Sequence, residues 1–343
     1  MPKFPHKTIF LISPAPRNIE GMEHAWPYLK IFVNKVTPNL KKAEKAGAEI
    51  INLKLPRAKK TFELLSEMIL RKLIRKGSRI LVFKNLPKIK KLAQKYGLEV
   101  LMPESRYLNL LEDKINFVNF CRKFKLPILP TKTCKLNLVN FVKPIVIQTR
   151  RGHAGESTFF VRSSHELDKL KKKAGEWTVK ITPLKKLSTF SLNLCATQEQ
   201  VFSTQPFYQI TGDANLNPLE GGTGGIDLGI AQKLSKKTLD AIFKLVNLTG
   251  KALQKIGYRG IAGIDFLVDD KNEKIYLLEM NPRLLSNLGF ITKKQAEIKE
   301  VPLLTIHLLE MLGEDLGEWN LPEVSETKEG RLELAHPKAR LIF

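Results

Sequence analysis

Strand-like and helix-like hydrophobic patterns alternate along the first hundred residues of the chain. Three short apolar runs predict strands because runs of this length between polar residues are typical of buried strands: residues 9–12, 49–53 and 79–83. Residues 62–74 carry apolar side chains at helical spacing, and Gly47 and Gly77 stand where helices are expected to end. The alternation predicts an α/β domain with a parallel sheet over residues 1–109.

A second pattern, in which strand pairs precede a long helix, follows from about residue 183. Residues 188–196 and 200–203 predict a strand pair, and residues 238–256 predict a helix. Between them, residues 220–229 contain five glycines. This run is either a flexible loop that presents backbone N–H groups to an anion or a long connection to the helix, and the pattern does not choose between them.

Two apolar runs separated by the turn residues 269–273 predict a β-hairpin. Asp265 interrupts the first run and Glu279 the second, at positions where burial is expected and an unpaired charge is costly. Side chains alternate along a strand, so Glu279, Asn281 and Arg283 are predicted to share one face. Two carboxylates and an amide oxygen suit Mg²⁺, which proteins usually hold by one or two carboxylates plus substrate phosphates. The alternative is a solvated hairpin face followed by an ordinary Asn-Pro turn.

A glycine-containing loop between two predicted strands is the second candidate site. The strands lie within residues 144–161, and the loop reads Arg-Arg-Gly-His-Ala-Gly-Glu-Ser over residues 150–157. Glycines allow backbone N–H groups to approach phosphate oxygens, although a loop of this kind taken alone is more often just a turn. The candidate phosphate contacts are Arg150, Gly152, His153, Gly155 and Ser157.

Composition indicates a globular protein of two or three subdomains. The chain has 343 residues, of which 43% are hydrophobic, and no apolar run approaches the roughly 20 residues that span a membrane. The apolar run at residues 8–13 is too short for the core of a signal peptide. Three scattered cysteines show no metal-binding spacing, so they predict free thiols and a cytoplasmic location.

Positive charge is concentrated in the first part of the chain. The net charge is +23; residues 1–135 carry 29 Lys+Arg and 10 Asp+Glu, whereas the remainder carries 28 and 24. Such a surface could attract nucleic acid, anionic lipid or a polyanionic substrate. The alternative is a lysine-rich solvated surface without a partner. Aromatic residues do not interleave with the basic clusters, which disfavours single-strand binding.

The hairpin residues, in their order, resemble the terminal signature of the ATP-grasp superfamily. In that family an acid on one strand precedes a Glu-x-Asn-x-Arg motif on the next. Three other segments resemble further parts of the family: Asp113-Lys114 with the helix and strand that follow to residue 131, the strand–loop–strand 144–161, and the closing helix 301–312. Together they cover roughly residues 110–315 in the family's order, and they resemble its carboxylate-amine or carboxylate-thiol ligases.

The resemblance implies an α/β protein with an N-terminal Rossmann-like, pre-ATP-grasp domain followed by an ATP-grasp fold of two α+β subdomains. The expected division is 1–109 for the basic N-terminal domain, 110–315 for the ATP-grasp domain with a mobile lid at about 140–182, and 316–343 for a C-terminal tail. The tail is expected either to fold back as an edge strand or to trail.

The resemblance also assigns roles to the candidate residues. Asp265, Glu279 and Asn281 are expected to hold Mg²⁺, or alternatively Mn²⁺, at the phosphates of ATP. Arg283 is expected to stabilise charge on the transferring phosphoryl group or the acyl phosphate.

The chain departs from the family at two positions of the expected ATP site. Gln148 stands where many members carry a phosphate-binding lysine, and Arg150, Arg151 or Lys143 could supply the charge. Lys180 stands about where an acid often contacts adenine.

The implied function is that of an ATP-grasp ligase, which activates a carboxylate as an acyl phosphate and joins it to an amine or similar nucleophile. The expected partners are therefore small-molecule carboxylate and amine substrates; nucleic acid is not favoured, and a homodimer is left open. One alternative is a nucleotide-binding protein that kept the fold, lost catalysis and binds a polyanion through its basic N-terminal domain. Another is an ATP-grasp kinase or a biotin-carboxylase-like enzyme, which would share the metal site.

Overall fold

A computed structural model describes residues 4–55, 60–152, 155–269, 271–317, 319 and 340–342. Three sheets follow one another along the chain: a parallel five-stranded sheet, a small antiparallel sheet and a larger mixed α+β layer built on a seven-stranded sheet. This order confirms the predicted fold class. The exact subdomain boundaries stay a prediction. No helix in the described part of the chain is long and apolar enough to cross a membrane.

The N-terminal sheet is parallel and has the strand order β3-β2-β1-β4-β5. Its strands are β1 (Ile9–Ser13), β2 (Leu29–Val33), β3 (Glu49–Asn52), β4 (Arg79–Val82) and β5 (Glu99–Val100). Helices α1 (Pro38–Lys45), α2 (Thr61–Leu70) and α3 (Pro87–Tyr96) connect them. The sequence pattern missed β2, in which the half-buried Lys30 follows Leu29 and interrupts an otherwise buried run.

The small sheet, named the lid sheet here, contains most of the segment in which the resemblance implies a lid. Helix α4 (Lys114–Lys123) begins at Asp113, whose carboxylate accepts hydrogen bonds from the backbone N–H groups of Ile115 and Asn116 at 3.0 and 3.1 Å. The strands are β6 (Lys132–Lys135), β7 (Ile145–Thr149), β8 (Thr158–Val161) and β9 (Thr178–Pro183), in the order β6-β9-β7-β8, with helix α5 (Ser164–Ala174) before β9. The lid sheet therefore includes β6, which lies before the predicted start of the lid.

The central sheet carries the hairpin and most of the remaining chain. Its strands are β10 (Ser188–Ala196), β11 (Val201–Ser203), β12 (Phe207–Thr211), β13 (Thr223–Asp227), β14 (Gly260–Asp269), β15 (Lys274–Asn281) and β16 (Arg340–Ile342). Its helices are α6 (Leu228–Ala231), α7 (Lys236–Lys255), α8 (Leu288–Glu297) and α9 (Leu303–Leu312). The glycine run becomes a tight turn, strand β13 and the start of α6. Residues 340–342 pair with β13 as an edge strand.

Alternation along β10 and β14 separates a core face from an open face. Phe190 and Leu192 on β10, and Ile264 and Phe266 on β14, are buried in one apolar cluster with α7. The residues between them point to the other face, which meets the lid. Asp265 therefore interrupts an apolar run because it faces a cavity and not the core.

A buried histidine joins the N-terminal sheet to the central sheet. His307 on α9 is fully buried, and its Nδ1 accepts a hydrogen bond from the backbone N–H of Ile261 at 3.2 Å. Its Nε2 therefore carries the proton and donates to the backbone oxygen of Leu101 at 3.0 Å. Both ring nitrogens are satisfied only in the neutral form.

This histidine should make the protein sensitive to acid. Burial lowers the pKa of His307 to about 4 from the ordinary 6.5. Between these two pKa values this histidine is protonated in the unfolded chain but not in the folded protein. The free energy of unfolding therefore falls as the pH drops, by about 3 kcal/mol for this group. Chemical denaturation across this pH range should show a flatter pH dependence for His307→Gln, which keeps a donor and an acceptor. An unchanged slope would contradict the prediction.

Candidate active site

A cavity of about 920 Å³ lies between the lid sheet and the open face of the central sheet. Strands β7 and β8 line it on the lid side, and strands β10, β12, β13, β14 and β15 line it on the other. Most of the residues predicted from the sequence as site residues line this cavity: Gln148, Gly152, Gly155, Ser157, Asp265, Glu279, Asn281 and Arg283.

Asp265 lies at the centre of a polar row that crosses three strands. In the strand register, Ser191 on β10 lies opposite Asp265 on β14, and Asp265 lies opposite Glu279 on β15. The Asp265 carboxylate accepts a hydrogen bond from Ser191 Oγ and a 2.8 Å hydrogen bond from Gln209 Nε2. Asn281 Nδ2 donates to its second oxygen at 3.3 Å. The side chain is thus held in one orientation at the cavity wall.

Glu279 faces a buried lysine across the mouth of the hairpin. Lys114 Nζ, on the first turn of α4, lies 3.2 Å from Glu279 Oε2 and donates to the backbone oxygen of Gly152 at 3.3 Å. The lysine side chain is only 6% exposed. A cation is therefore already held against the carboxylate that is expected to bind a metal ion.

The Asp265 and Glu279 carboxyl groups shift each other's pKa in opposite directions. Burial, reinforced by the charge of Glu279, raises the pKa of Asp265 to about 8. Burial also opposes ionisation of Glu279, but Lys114, the hydrogen bond from Asp265 and Lys180 outweigh it and lower the pKa of Glu279. Like charges this close disfavour double ionisation unless a cation joins them.

A β-bulge in the hairpin shapes this part of the wall. Asp265 pairs with Glu279 and Phe266 with Leu277, so Leu278 is the extra residue. The bulge leaves the backbone oxygen of Leu278 free to accept a 2.9 Å hydrogen bond from the buried Lys180 Nζ on β9. Burial lowers the pKa of Lys180 to about 8. This bond ties the base of the lid to the strand that carries Glu279.

Arg283 is fixed just beyond the end of β15. Its Nη2 donates to Asn281 Oδ1 at 3.0 Å, and its Nε donates to Glu112 Oε1 at 3.4 Å. The guanidinium also lies 5.4 Å from the ring centre of Phe83. Its Nη1 donates to the backbone oxygen of Leu284 at 3.1 Å, so three of the five N–H groups have partners among the described residues and two are left for an anion in the cavity.

The lid residues divide into those that reach the cavity and those that do not. Gln148 lines it, with its Nε2 donating to Thr158 Oγ1 at 3.2 Å. Arg150 turns away, and its Nε pairs with Asp113 Oδ2 at 2.8 Å. Lys180 lies opposite Gln148 in the strand register but does not line the cavity. His153 lies outside the described residues.

The crossing from the lid sheet to the central sheet begins after Pro183, where strand β9 ends. Lys180, expected about where an acid often contacts adenine, therefore lies within this strand. The crossing itself is residues 184–187, all of which line the cavity. It brings two exposed cations, Lys185 and Lys186, to the rim.

Positive charge exceeds negative charge on the described cavity wall. The cations are Lys114, Arg162, Lys185, Lys186 and Arg283, and the acids are Asp265, Glu279 and Glu220. Glu220 is already paired with Arg162. The wall therefore favours a polyanionic ligand.

The donor set of the hairpin fits a hard cation that phosphate oxygens help to bind. Among the described residues no group of three or more His, Cys, Asp or Glu is arranged for a metal ion. Asp265, Glu279 and Asn281 supply two carboxylates and an amide oxygen, which is the set that Mg²⁺ accepts when substrate phosphates complete its shell. In this structure the positive charge beside Glu279 comes from Lys114.

Sequence reasoning missed three residues of this site: Lys114, Ser191 and Gln209. Lys114 carried a signal, because it follows the helix-capping Asp113, but the charge missing at Gln148 was sought at Lys143, Arg150 and Arg151. Ser191 and Gln209 carried no sequence signal, because their contact with Asp265 depends on strand register.

A glycine in the lid loop touches the glycine run of the central sheet. Gly155 has φ +88°, and a Cβ there would lie 2.5 Å from the backbone nitrogen of Gly222. On the sequence expectation that ATP binds in this cavity, Gly155→Ala should separate the lid sheet from the turn and raise the KM for ATP about tenfold, from strain on the order of 1–3 kcal/mol. Gly47→Ala is the matched control, because Gly47 also has a positive φ but nothing lies within 4 Å of its Cβ position. An equal KM for both variants would contradict the prediction.

A family model described as the ATP-grasp domain matches residues 111–287, which is more than half of the chain. The match begins beside Glu112 and ends at Asn287, so it spans the lid and the hairpin. No curated protein sequence matches this chain.

Solved structures share the fold at low sequence identity. Biotin carboxylase from Campylobacter jejuni, in a βγ-ATP complex, is 15% identical over 90% of this chain and 72% of its own, with a TM-score of 0.67. The biotin carboxylase domain dimer of Hydrogenobacter thermophilus 2-oxoglutarate carboxylase, with MgADP and bicarbonate, is 13% identical over 91% and 70%, with a TM-score of 0.66. N5-carboxyaminoimidazole synthetase from Staphylococcus aureus, with ADP, is 15% identical over 93% and 79%, with a TM-score of 0.62.

Proposed function

The chain belongs to the ATP-grasp domain family, and from this premise we propose that it is an Mg-ATP-dependent ligase. It would activate a carboxylate as an acyl phosphate and join it to an amine or similar nucleophile. The observation that carries the proposal is the Asp265–Glu279 pair, which faces the lid across a cavity whose other charged lining residues are five cations and one acid. The solved relatives share the fold, and those proteins are complexes with βγ-ATP, MgADP or ADP.

Asp265, Glu279 and Asn281 would hold Mg²⁺, or Mn²⁺ in its place. The ion would supply charge neutralisation at the phosphates of ATP. Lys114, which pairs with Glu279 in this structure, would then be available to a phosphate oxygen. Gln148, Gly152, Gly155 and Ser157 would meet the phosphates from the lid.

The reaction would proceed in two steps. A carboxylate oxygen attacks the γ-phosphorus, the bond to the bridging oxygen breaks, and ADP leaves. The amine then attacks the acyl carbon, inorganic phosphate leaves with the bonding pair, and the nitrogen loses a proton to give an amide. Arg283 would stabilise negative charge on the transferring group, and the closed lid would exclude water from the acyl phosphate.

Arg283→Lys tests the arginine without removing its charge. A lysine cannot reproduce the fork that binds Asn281 and an anion together. We expect kcat to fall about tenfold while the Kd for Mg-ATP changes little, because the contact is made mainly in the transition state. Isothermal titration with a non-hydrolysable nucleotide separates the two quantities. A change confined to nucleotide affinity would contradict this role.

ADP release across a substrate panel tests the proposed function directly. Amino acids, short peptides and small dicarboxylates would be offered with Mg-ATP, first without an amine and then with one. Hydroxylamine would be added to trap an acyl phosphate as a hydroxamate. ADP release together with hydroxamate for one carboxylate class is the expected result. Carbamate or phosphoester products would instead indicate a carboxylase or a kinase.

A nucleotide-binding protein without turnover is the second candidate, and Gln148 in the cavity wall is the observation that favours it. Mg-ATP should raise the Tm of the protein under both candidates. Only an enzyme would release ADP with a carboxylate from the panel. Binding without release would therefore favour the second candidate.

We also propose a cytoplasmic location and a homodimer, the latter because one solved relative is described as a dimer. Sedimentation of the full chain would test the oligomeric state.

A further inference from the structure

A stretch of the N-terminal domain is strongly basic and free of acids. Residues 68–98 contain ten Lys and Arg residues and no Asp or Glu. Residues 136–343 balance 28 basic with 24 acidic residues, so a uniform lysine bias across the chain does not explain this segment.

The fold gathers much of this segment onto one surface. It contains the end of α2, the loop that leads into β4, and α3, and the two helices pack against each other. The loop is tied to the end of α3 by a 2.7 Å hydrogen bond from Gly77 N to Gly97 O. The Lys76 side chain packs where a Cβ on Gly97 would be. The loop and the end of α3 therefore form one continuous face.

Most of these cations lack an acidic partner in the described structure. Arg71, Arg79 and Lys84 pair with carboxylates. None of the other seven forms an ion pair with a described residue, and six of them are exposed: Lys72, Arg75, Lys76, Lys88, Lys91 and Lys95.

Large apolar side chains protrude among the unpaired cations. Leu70 is 73% exposed, Leu73 41% and Tyr96 38%. Leu70 ends α2, Leu73 lies in the loop, and Tyr96 ends α3. Leucines exposed to this degree between unpaired cations are not explained by the core of the domain.

We infer that this basic leucine surface, formed by Leu70, Lys72, Leu73, Arg75, Lys91 and Lys95, docks the protein on an anionic lipid surface. Cations attract anionic headgroups, and leucines enter the boundary between headgroups and acyl chains. A nucleic acid would satisfy the cations but would leave Leu70 and Leu73 in water, because leucines offer no ring on which a base can stack.

The docked protein would keep its cavity accessible. None of the residues of the basic leucine surface lines the cavity. The inference goes beyond the proposed function and does not depend on it, because the surface needs neither ATP nor the acceptor.

Vesicle co-sedimentation of the full chain tests the inference. Vesicles of phosphatidylcholine with about 30% phosphatidylserine would be compared with phosphatidylcholine alone, at an ionic strength of about 0.1 M and again at about 0.5 M. We expect binding only to the anionic vesicles and weaker binding at high salt. The triple variant Lys72→Glu, Lys91→Glu, Lys95→Glu should bind at least about 100-fold more weakly. Leu70→Ser with Leu73→Ser should bind about tenfold more weakly.

A charge-matched variant on α1 is the control. Lys41, Lys42 and Lys45 are exposed on α1, which contacts β3 at the opposite edge of the sheet from β5. Their replacement by glutamate should leave vesicle binding within about twofold, because most of the attraction acts within a Debye length of the docked face.

An equal loss in both triple variants, no effect of the leucine substitutions, or no vesicle binding would overturn the inference. Tight oligonucleotide binding that the lysine variant abolishes, without vesicle binding, would assign the surface to nucleic acid instead. Mg-ATP binding, measured in parallel, should be unchanged in every variant.

Discussion

Replacing Glu279 by glutamine should reduce ADP release at least about 1,000-fold, because the variant loses a charged ligand for the ion that neutralises the phosphates. The fold should persist. Glutamine has the same shape, and although Lys114 loses its 3.2 Å partner, the like-charge conflict with Asp265 disappears as well. Mg²⁺-dependent stabilisation by ATP, followed as the shift in Tm, should shrink in parallel with turnover.

Glu220→Gln is the matched control for this experiment. Glu220 also lines the cavity, but it is exposed and paired with Arg162, so its loss should change turnover by less than about fivefold, as for an exposed ion pair. Full turnover in Glu279→Gln would refute the proposed metal site. Equal losses in the two variants would indicate a general effect of charge on the cavity.

Replacing Lys114 by methionine should weaken Mg-ATP binding about 100-fold, because a buried cation aimed at the site is removed while the length of the side chain is kept. The same change leaves Glu279 without its ion-pair partner. Because the Glu279 side chain is only partly buried, at 31% exposed, the cost is smaller than for a fully buried pair, and the free protein should unfold somewhat more easily.

The stability measurement separates two roles of Lys114. If the lysine holds the place of a cation at Glu279, addition of Mg²⁺ with a nucleotide should restore more stability to Lys114→Met than to the unmodified protein. Lys185→Met is the control, since Lys185 lines the rim but is exposed. We expect it to change affinity by less than about tenfold and to leave stability unchanged. Unaltered affinity in Lys114→Met would remove this residue from the phosphate site.

Much of the site could be predicted because burial and charge conflict visibly in the sequence. An acid inside an apolar run indicates a functional or paired carboxylate, because an unpaired buried charge is costly. Asp265 and Glu279 each interrupt such a run. Asp265 lies opposite Glu279 because the two runs form a hairpin, and hairpin pairing is a local property of the chain. The capping of α4 by Asp113 was equally local.

The charge partner of Glu279 could not be read in the same way. Lys114 follows Asp113 on helix α4, and the sequence of this helix does not indicate that it packs near strand β15, which carries Glu279. Lid and hairpin meet only in the folded protein, so the missing cation was sought near Gln148 along the chain and not across the cavity. Arg150 is a plausible phosphate ligand by sequence, and its ion pair with Asp113 is another contact that only the folded protein shows.

The sequence by itself determined the order of the strands and helices and the acids that interrupt them, because hydrophobic periodicity and turn residues act over short distances along the chain. The resemblance of its motifs indicated the family. Only the tertiary structure decided which side chains surround those acids. Ser191 reaches Asp265 across 74 residues of sequence, and Lys180 reaches the bulge at Leu278 across 98. Strand register and lid packing set these contacts, and both are fixed by the burial of whole faces, which no single segment specifies.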